Sequence, residues 1–261
     1  MAFDYRGKVA IVTGASSGIG AAVARDLASR GTTVVGAARR HAQLDAVVED
    51  CRRSAPASRA VVCDVGVRHQ VESLVHDTVA EHGKVDVLVN NAGITMRVHA
   101  TRLTPEQVEE VMRINFLGAV WGTLAALPSM LERKAGHIVN ISSVAGRIPS
   151  AREAGYTASK HAMTGWSEVL AADLDGTGVR VHLVNPGPIR TEIWDKLQEP
   201  AAFKGRLLPA ERIADAVRYC LEHDRFERWY PRYMSGLQIM KLVGKRPFLR
   251  GLAWFDRRAD R

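Results

Sequence analysis

The sequence predicts an α/β fold: one doubly wound parallel sheet of about seven strands, with helices on both faces. Three observations carry that expectation. Short apolar runs rich in β-branched residues alternate along the chain with longer helical stretches, the pattern of parallel strands joined by right-handed crossovers. A glycine-rich turn follows the first of these runs directly. At 261 residues and 46% hydrophobic content the chain can bury the core of one large domain, and no composition shift marks a second.

Residues 8–13 (Lys-Val-Ala-Ile-Val-Thr) read as a buried parallel strand. It ends in Gly14-Ala-Ser16-Ser17-Gly18-Ile19-Gly20, and 21–30 reads as a helix closed by Gly31. Strand, glycine turn and helix start in that order form an anion site. Glycines let the backbone approach a pyrophosphate, and the free amides at the helix N-terminus face it. The spacing is Gly-x-x-x-Gly-x-Gly rather than Gly-x-Gly-x-x-Gly, and an ordinary tight turn is the plainer alternative. Residues 32–38 form the second strand, followed by Arg39-Arg40. In nucleotide-binding units an acidic residue ending this strand takes the ribose hydroxyls, whereas a nearby arginine accommodates a 2′-phosphate. Ala38 stands where the carboxylate would be, so NADP(H) is favoured over NAD(H). Arg39 offers a planar fork that clasps the phosphate or stacks on adenine, and Ser16 or Ser17 adds a hydroxyl. Otherwise Arg39 and Arg40 merely start an exposed helix.

Helix (41–53), strand (59–63), helix (67–82) and strand (85–89) follow in alternation. Asp64-Val65 ends the third strand, where a carboxylate can accept from an adenine amino group. Asn90-Asn91-Ala92-Gly93 ends the fourth, and its small residues let a cofactor lie close to the strand ends. A capped turn competes at both places. Thr104-Pro-Glu-Gln107 starts a helix that runs towards 131 with an interruption near Pro128. Asn115 lies inside its apolar periodicity, either as a satisfied core amide or as a bend that holds a water. Strand 137–141 leads into Ser142-Ser143, and strand 179–184 into Asn185-Pro186-Gly187-Pro-Ile189-Arg-Thr191.

Between them stand Tyr156 and Lys160, whose four-residue spacing puts a phenol and an ammonium on one helix face. Lowering a tyrosine from ~10 to ~7 takes roughly 4 kcal/mol. One charge ~4 Å away supplies about that much at an effective dielectric of ~20. Lys160 is therefore expected to acidify Tyr156 into a proton donor or acceptor near neutral pH. Taken alone, such a pair is usually a solvated helix face.

Together these segments resemble the short-chain dehydrogenase/reductase family. Thr13 through Gly20, Asn90 through Gly93, Ser143 thirteen residues before Tyr156, the Tyr-x-x-x-Lys160 pair and Pro186-Gly187 occur in the family's order, over about 7–192. The resemblance implies a Rossmann-type fold and a catalytic tetrad of Asn115, Ser143, Tyr156 and Lys160. Tyr156 would exchange the proton with the substrate oxygen, and Ser143 would stabilise the charge on that oxygen. Lys160 would hold the nicotinamide ribose, and Asn115 a water relaying protons. Asp64 and Val65 would meet adenine, Asn91, Ala92 and Gly93 the central cofactor, and Pro186, Gly187, Ile189 and Thr191 the nicotinamide end. Ser142 competes with Ser143, and the spacing to Tyr156 decides for Ser143. A non-catalytic cofactor sensor or scaffold on the same fold is the alternative function, disfavoured by the intact tetrad. The family's habits further imply a homodimer or homotetramer.

Composition excludes other classes. Cys51, Cys63 and Cys220 are too scattered for a disulfide framework, and with nine histidines lacking ligand spacing no metal site is expected. A reduced, cytoplasmic protein is the economical expectation, without a leader or membrane span. Of the +8 formal charge, residues 201–261 hold 14 Lys and Arg against 7 Asp and Glu, leaving 22 against 21 for the rest. That concentration argues against a nucleic-acid-binding body. The expected pocket walls include Met96, Ile148 and a lid over 193–208 with Ile193, Trp194, Leu197 and Phe203, with Arg97, Arg147 and Arg152 as anion contacts. They suggest a small-molecule alcohol or carbonyl substrate of lipid, steroid or acyl type. Residues 234–261 interleave aliphatic and aromatic side chains with Lys and Arg, a pattern suited to peripheral membrane contact or to packing on the protein itself.

Overall fold

The computed structural model describes residues 3–192, 199 and 205–259, without the side chains of 255 and 257–259. Seven parallel strands form one sheet in the order β3-β2-β1-β4-β5-β6-β7. They are β1 (Val9–Thr13), β2 (Thr33–Ala38), β3 (Arg59–Val62), β4 (Val87–Asn90), β5 (Gly136–Ile141), β6 (Val179–Pro186) and β7 (Glu227–Tyr230). Strand order reverses at β1, which pairs with β2 through Val9↔Thr33 and with β4 through Ala10↔Val87. The reversal opens a crevice beyond the carboxyl ends of β1 and β4, where ligands of open α/β sheets bind.

Because side chains alternate across a strand, each strand feeds two cores. Ala10, Val12, Val87 and Val89 pack on α1 (Gly18–Ser29), α2 (His41–Arg52) and α7 (Glu211–His223). Ile11, Leu88 and Ile138 face the other way, towards α3 (Arg68–His82), α5 (Gly118–Glu132) and α6 (Ala154–Asp173). A strand buried on both faces must be apolar throughout, which is why β1 and β4 read as continuous runs.

Of two expectations about the long helix, one holds and one is corrected. Thr104 does cap α4 (Pro105–Met112) by a capping box, its Oγ accepting from the Gln107 amide at 3.3 Å. The irregularity that follows is not at Pro128, which lies inside α5, but is one π turn over Arg113–Leu117 centred on Asn115. The stretch Pro105–Glu132 is long and apolar enough to cross a membrane by composition. In this fold it is a sheet-covering helix, packed against α3, α6 and β4.

Beyond β7 the chain makes a short turn (Arg232–Ser235), then α8 (Gly236–Val243) and α9 (Lys245–Ala259). Across β5 and β6, His137 and His182 stack with ring centroids 5.2 Å apart. Nδ1 of His182 faces the Arg225 carbonyl at 2.8 Å and so carries a proton; its Nε2 then accepts from His137 Nδ1 at 2.9 Å. Burial, reinforced by His182, pushes His137 down to about 3, and burial lowers His182 as well. Both must be neutral in the folded state, so their contribution is present above the unfolded value near ~6.5 and is lost as pH falls towards about 3. Urea titrations should show stability declining through that window, with a shallower decline in His137→Gln. An identical slope in the variant would contradict the assignment.

Candidate active site

The crevice is a cavity of about 760 Å³ running from Arg39 and Arg40 at one end to Tyr156 and Leu252 at the other. It gathers all the expected cofactor residues except Gly18 and Gly20, and all of the tetrad except Asn115. Those three act from behind the wall. Gly14 has φ +67°, and a Cβ there would lie 2.9 Å from the Ala92 Cα, so the backbones of the two strand ends touch. Gly18 has φ +56° and faces the Thr191 methyl, while a Cβ on Gly20 would strike the Gly14 carbonyl at 2.3 Å. Both need glycine to close the turn. The turn is further fixed by Thr13, whose hydroxyl accepts from the amides of Asn91 and Ala92, and by Asn91 Nδ2 donating to the Thr13 carbonyl at 2.9 Å. The Asn91 side chain therefore holds the glycine turn, while the residue also lines the cavity.

The start of α1 opens on this cradle. Ser17, at the N-cap, makes no side-chain cap bond. Its hydroxyl instead accepts from Arg40 at 2.7 Å, as Ser16 does at 3.1 Å, and the same guanidinium reaches Glu192 at 2.5 Å. Arg40 is thus the ordered cation at this end. Arg39 is 60% exposed, with Asp64 3.9 Å away. Uncapped amides, a glycine cradle and two guanidiniums in one groove match the charge and shape of a dinucleotide diphosphate.

At the other end α6 delivers the reactive pair. Lys160 is 4% exposed and its ammonium donates to the Ile141 carbonyl at the end of β5, 2.9 Å away. The ammonium has two further N–H bonds to offer a ligand in the cavity. Tyr156, one turn earlier, has Ser143 beside it, which favours the ionised phenol, while the Ser143 hydroxyl accepts from the Ala145 amide at 3.1 Å. Ser142 has a different post: its hydroxyl bonds the Lys160 carbonyl at 3.2 Å and Thr164 at 3.3 Å, docking α6 on β5. Asn115 accepts from the Ile94 amide at 2.8 Å and donates to the Ile94 carbonyl and to Ser159. Both of its Nδ2 hydrogens are thus engaged while Oδ1 keeps a second lone pair, and the π turn is what aims the amide back at the loop after β4.

The expected acidification of Tyr156 is not what the geometry gives. Burial pushes the phenol up to about 12, the Ser143 hydrogen bond works against that, and the Glu153 carboxylate adds to it. The same burial lowers Lys160 to about 8, and its nitrogen is 5.8 Å from the tyrosine ring centroid. The cation is withdrawn to a backbone carbonyl and is itself weakened by desolvation, so its field does not overcome the cost of a buried phenolate.

The far wall is apolar, with Met96, Ile148, Leu237 and Leu252. Of the expected lid, Ile193, Trp194, Leu197 and Phe203 lie outside the described residues. Arg97, Arg147 and Arg152 were expected to meet anions of the substrate, yet protein carboxylates hold each of them. Arg147 pairs with Glu168 at 2.6 Å and Glu227 at 3.1 Å. Arg97, 3% exposed, reaches Asp256 at 2.5 Å, and Arg152 reaches the other oxygen of Asp256 at 2.7 Å. Sequence reasoning missed Asp256 and with it the role of α9, which closes the substrate end through Leu252. The only signal was an acid set among the apolar and basic residues of the tail.

A family model described as short chain dehydrogenase matches residues 8–202. The chain belongs to the short chain dehydrogenase family. It is 40% identical over 227 residues to a protein of Aedes aegypti named farnesol dehydrogenase, covering 83% of this chain and 91% of that one. A metagenomic short-chain oxidoreductase crystallised with NADP superposes with a TM-score of 0.75 at 33% identity, over 86% of this chain and 96% of that one. A Burkholderia phymatum relative crystallised with NAD gives 0.83 at 29% identity, over 90% and 93%. This short chain dehydrogenase is an oxidoreductase that uses a nicotinamide coenzyme, for which the glycine cradle and Lys160 are the fitting residues.

Asp256 gives this dehydrogenase a stability test. Removing one partner of a buried ion pair strands the other charge at a cost of about 3–5 kcal/mol. Asp256→Ala should lower unfolding stability by about that much, and pairing it with Arg97→Met should recover most of the loss. A loss below about 1 kcal/mol, the range of an exposed pair, would show the interaction to be open to solvent.

Proposed function

We propose that this dehydrogenase is NADP(H)-dependent and interconverts an apolar alcohol, of lipid, steroid or acyl type, with its carbonyl. The observation that carries the reading is the placement of Tyr156 and Ser143 together in the cavity wall, at the junction between the nucleotide groove and an apolar chamber. The name of the farnesol dehydrogenase relative supports an apolar alcohol. For the coenzyme, the absence of an acid at the end of β2, the two arginines and the NADP-bound relative support the phosphorylated form.

The bound nicotinamide supplies or takes the hydride. In the reductive direction Tyr156 donates its proton to the carbonyl oxygen, and Ser143 hydrogen-bonds that oxygen as charge develops. Lys160, held by Ile141, positions the nicotinamide ribose. Asn115 sets the loop after β4 against α6 and thereby fixes the cavity floor. Because the phenol keeps its proton up to about 12, the acid needed for reduction is in place at neutral pH. Oxidation needs the phenolate, whose population rises about tenfold per pH unit below that value.

A screen of NADPH oxidation over a carbonyl panel tests the substrate class, and turnover confined to small polyols contradicts it. Tyr156→Phe should lower kcat about 10²–10⁴-fold, and an unaffected rate excludes the mechanism. The oxidative rate should climb with pH between roughly 7 and 10 while the reductive rate does not; a flat oxidative profile is the contrary result. Replacing Arg39 and Arg40 by Ala should reduce the NADPH-over-NADH ratio of kcat/KM about 10–100-fold, the worth of one or two charge-assisted hydrogen bonds. An unchanged ratio would return the arginines to the role of an exposed helix start.

A further inference from the structure

The C-terminal helices present a surface that the oxidoreductase reading does not use. On α8, Ile239, Met240, Leu242 and Val243 are exposed, the last two at 76% and 85%. Their spacing places them on one broad side of the helix. Leu237, on the opposite side of the same helix, lines the cavity. Tyr233 before α8 and Leu249 and Trp254 on α9 extend the exposed apolar area. Scattered apolar side chains on a surface are ordinary, but four on one short helix flanked by three more are not. Residues 229–255 carry five Lys and Arg and no Asp or Glu, and Arg232, Lys245, Arg246 and Arg250 are exposed among the apolar ones.

Charge decides what covers this face. A second copy meeting it through a two-fold axis would set the same patch against itself, its four exposed cations facing their own copies with no acid among them, which is repulsive. An anionic lipid surface has the complementary sign, admits the aliphatic side chains among its acyl chains, and takes tryptophan and tyrosine at the headgroup level. We propose that α8 and α9 dock the protein on anionic membrane surfaces. The substrate end of the cavity, walled by Leu237 and Leu252 of those two helices, is thereby held beside the lipid phase. Helix α9 is fastened for that purpose by the Asp256 contacts to Arg97 and Arg152, so the docking face is carried by the folded body rather than by a loose tail.

Co-sedimentation of the full chain with phosphatidylcholine vesicles, alone or mixed with phosphatidylserine, tests the proposal. Binding should need phosphatidylserine and weaken with salt. Lys245→Gln, Arg246→Gln and Arg250→Gln together should weaken it about a hundredfold, at roughly fivefold per basic residue. Leu242→Asp with Val243→Asp should abolish it without changing the elution volume, since both side chains are exposed and outside the cavity. Failure of the wild type to pellet, or equal pelleting of wild type and both variants, overturns the proposal. So does a change in oligomeric state in the aspartate variant without vesicle binding, which would identify a second copy as the occupant. Turnover is not read in this assay, so its outcome is separate from that of the substrate and coenzyme assignments.

Discussion

The bond from Lys160 to the Ile141 carbonyl is what the site depends on. It ties the middle of α6 to the end of β5, and a buried ammonium without that acceptor would be costly. Once α6 is fixed there, Tyr156 falls one turn away beside Ser143, and Ser142 completes the seam through Lys160 and Thr164. The matching constraint on the nucleotide side is the contact of Gly14 with Ala92, secured by Thr13 and Asn91. Two strand ends on either side of the topological switch are thus joined by short polar bonds at the mouth of the crevice.

The same packing has an electrostatic consequence. The burial that positions the Tyr156 and Lys160 pair also disfavours charge on both members. The phenol rests neutral and the ammonium is only moderately basic. A neutral donor beside a second hydroxyl suits protonation of an oxygen that becomes negative during reduction, because the charge it must stabilise appears only in the transition state.

Much of this was legible in the sequence where the determinant is local. The glycine turn, the Thr104 cap and the strand ends each follow from a few neighbouring residues, and β1 could be found because burial on both faces forces an unbroken apolar run. The exceptions depend on distant partners. Whether Asn115 is satisfied turns on the loop at Ile94 and on Ser159, neither adjacent in sequence. Spacing shows that Tyr156 and Lys160 share a face but not how deeply they are buried, and depth reverses the sign of the tyrosine shift. Arg97 and Arg152 read as free cations because their carboxylate lies over a hundred residues away, at Asp256.

The account stands most directly on the protonation of Tyr156. Labelling the tyrosines with ¹³C at Cζ and assigning the Tyr156 resonance by its loss in Tyr156→Phe would follow that proton in the coenzyme-free protein. The prediction is a resonance that stays at its neutral position while exposed tyrosines titrate near ~10. A midpoint near neutrality would show that Lys160 does acidify the phenol and would contradict the account at its centre.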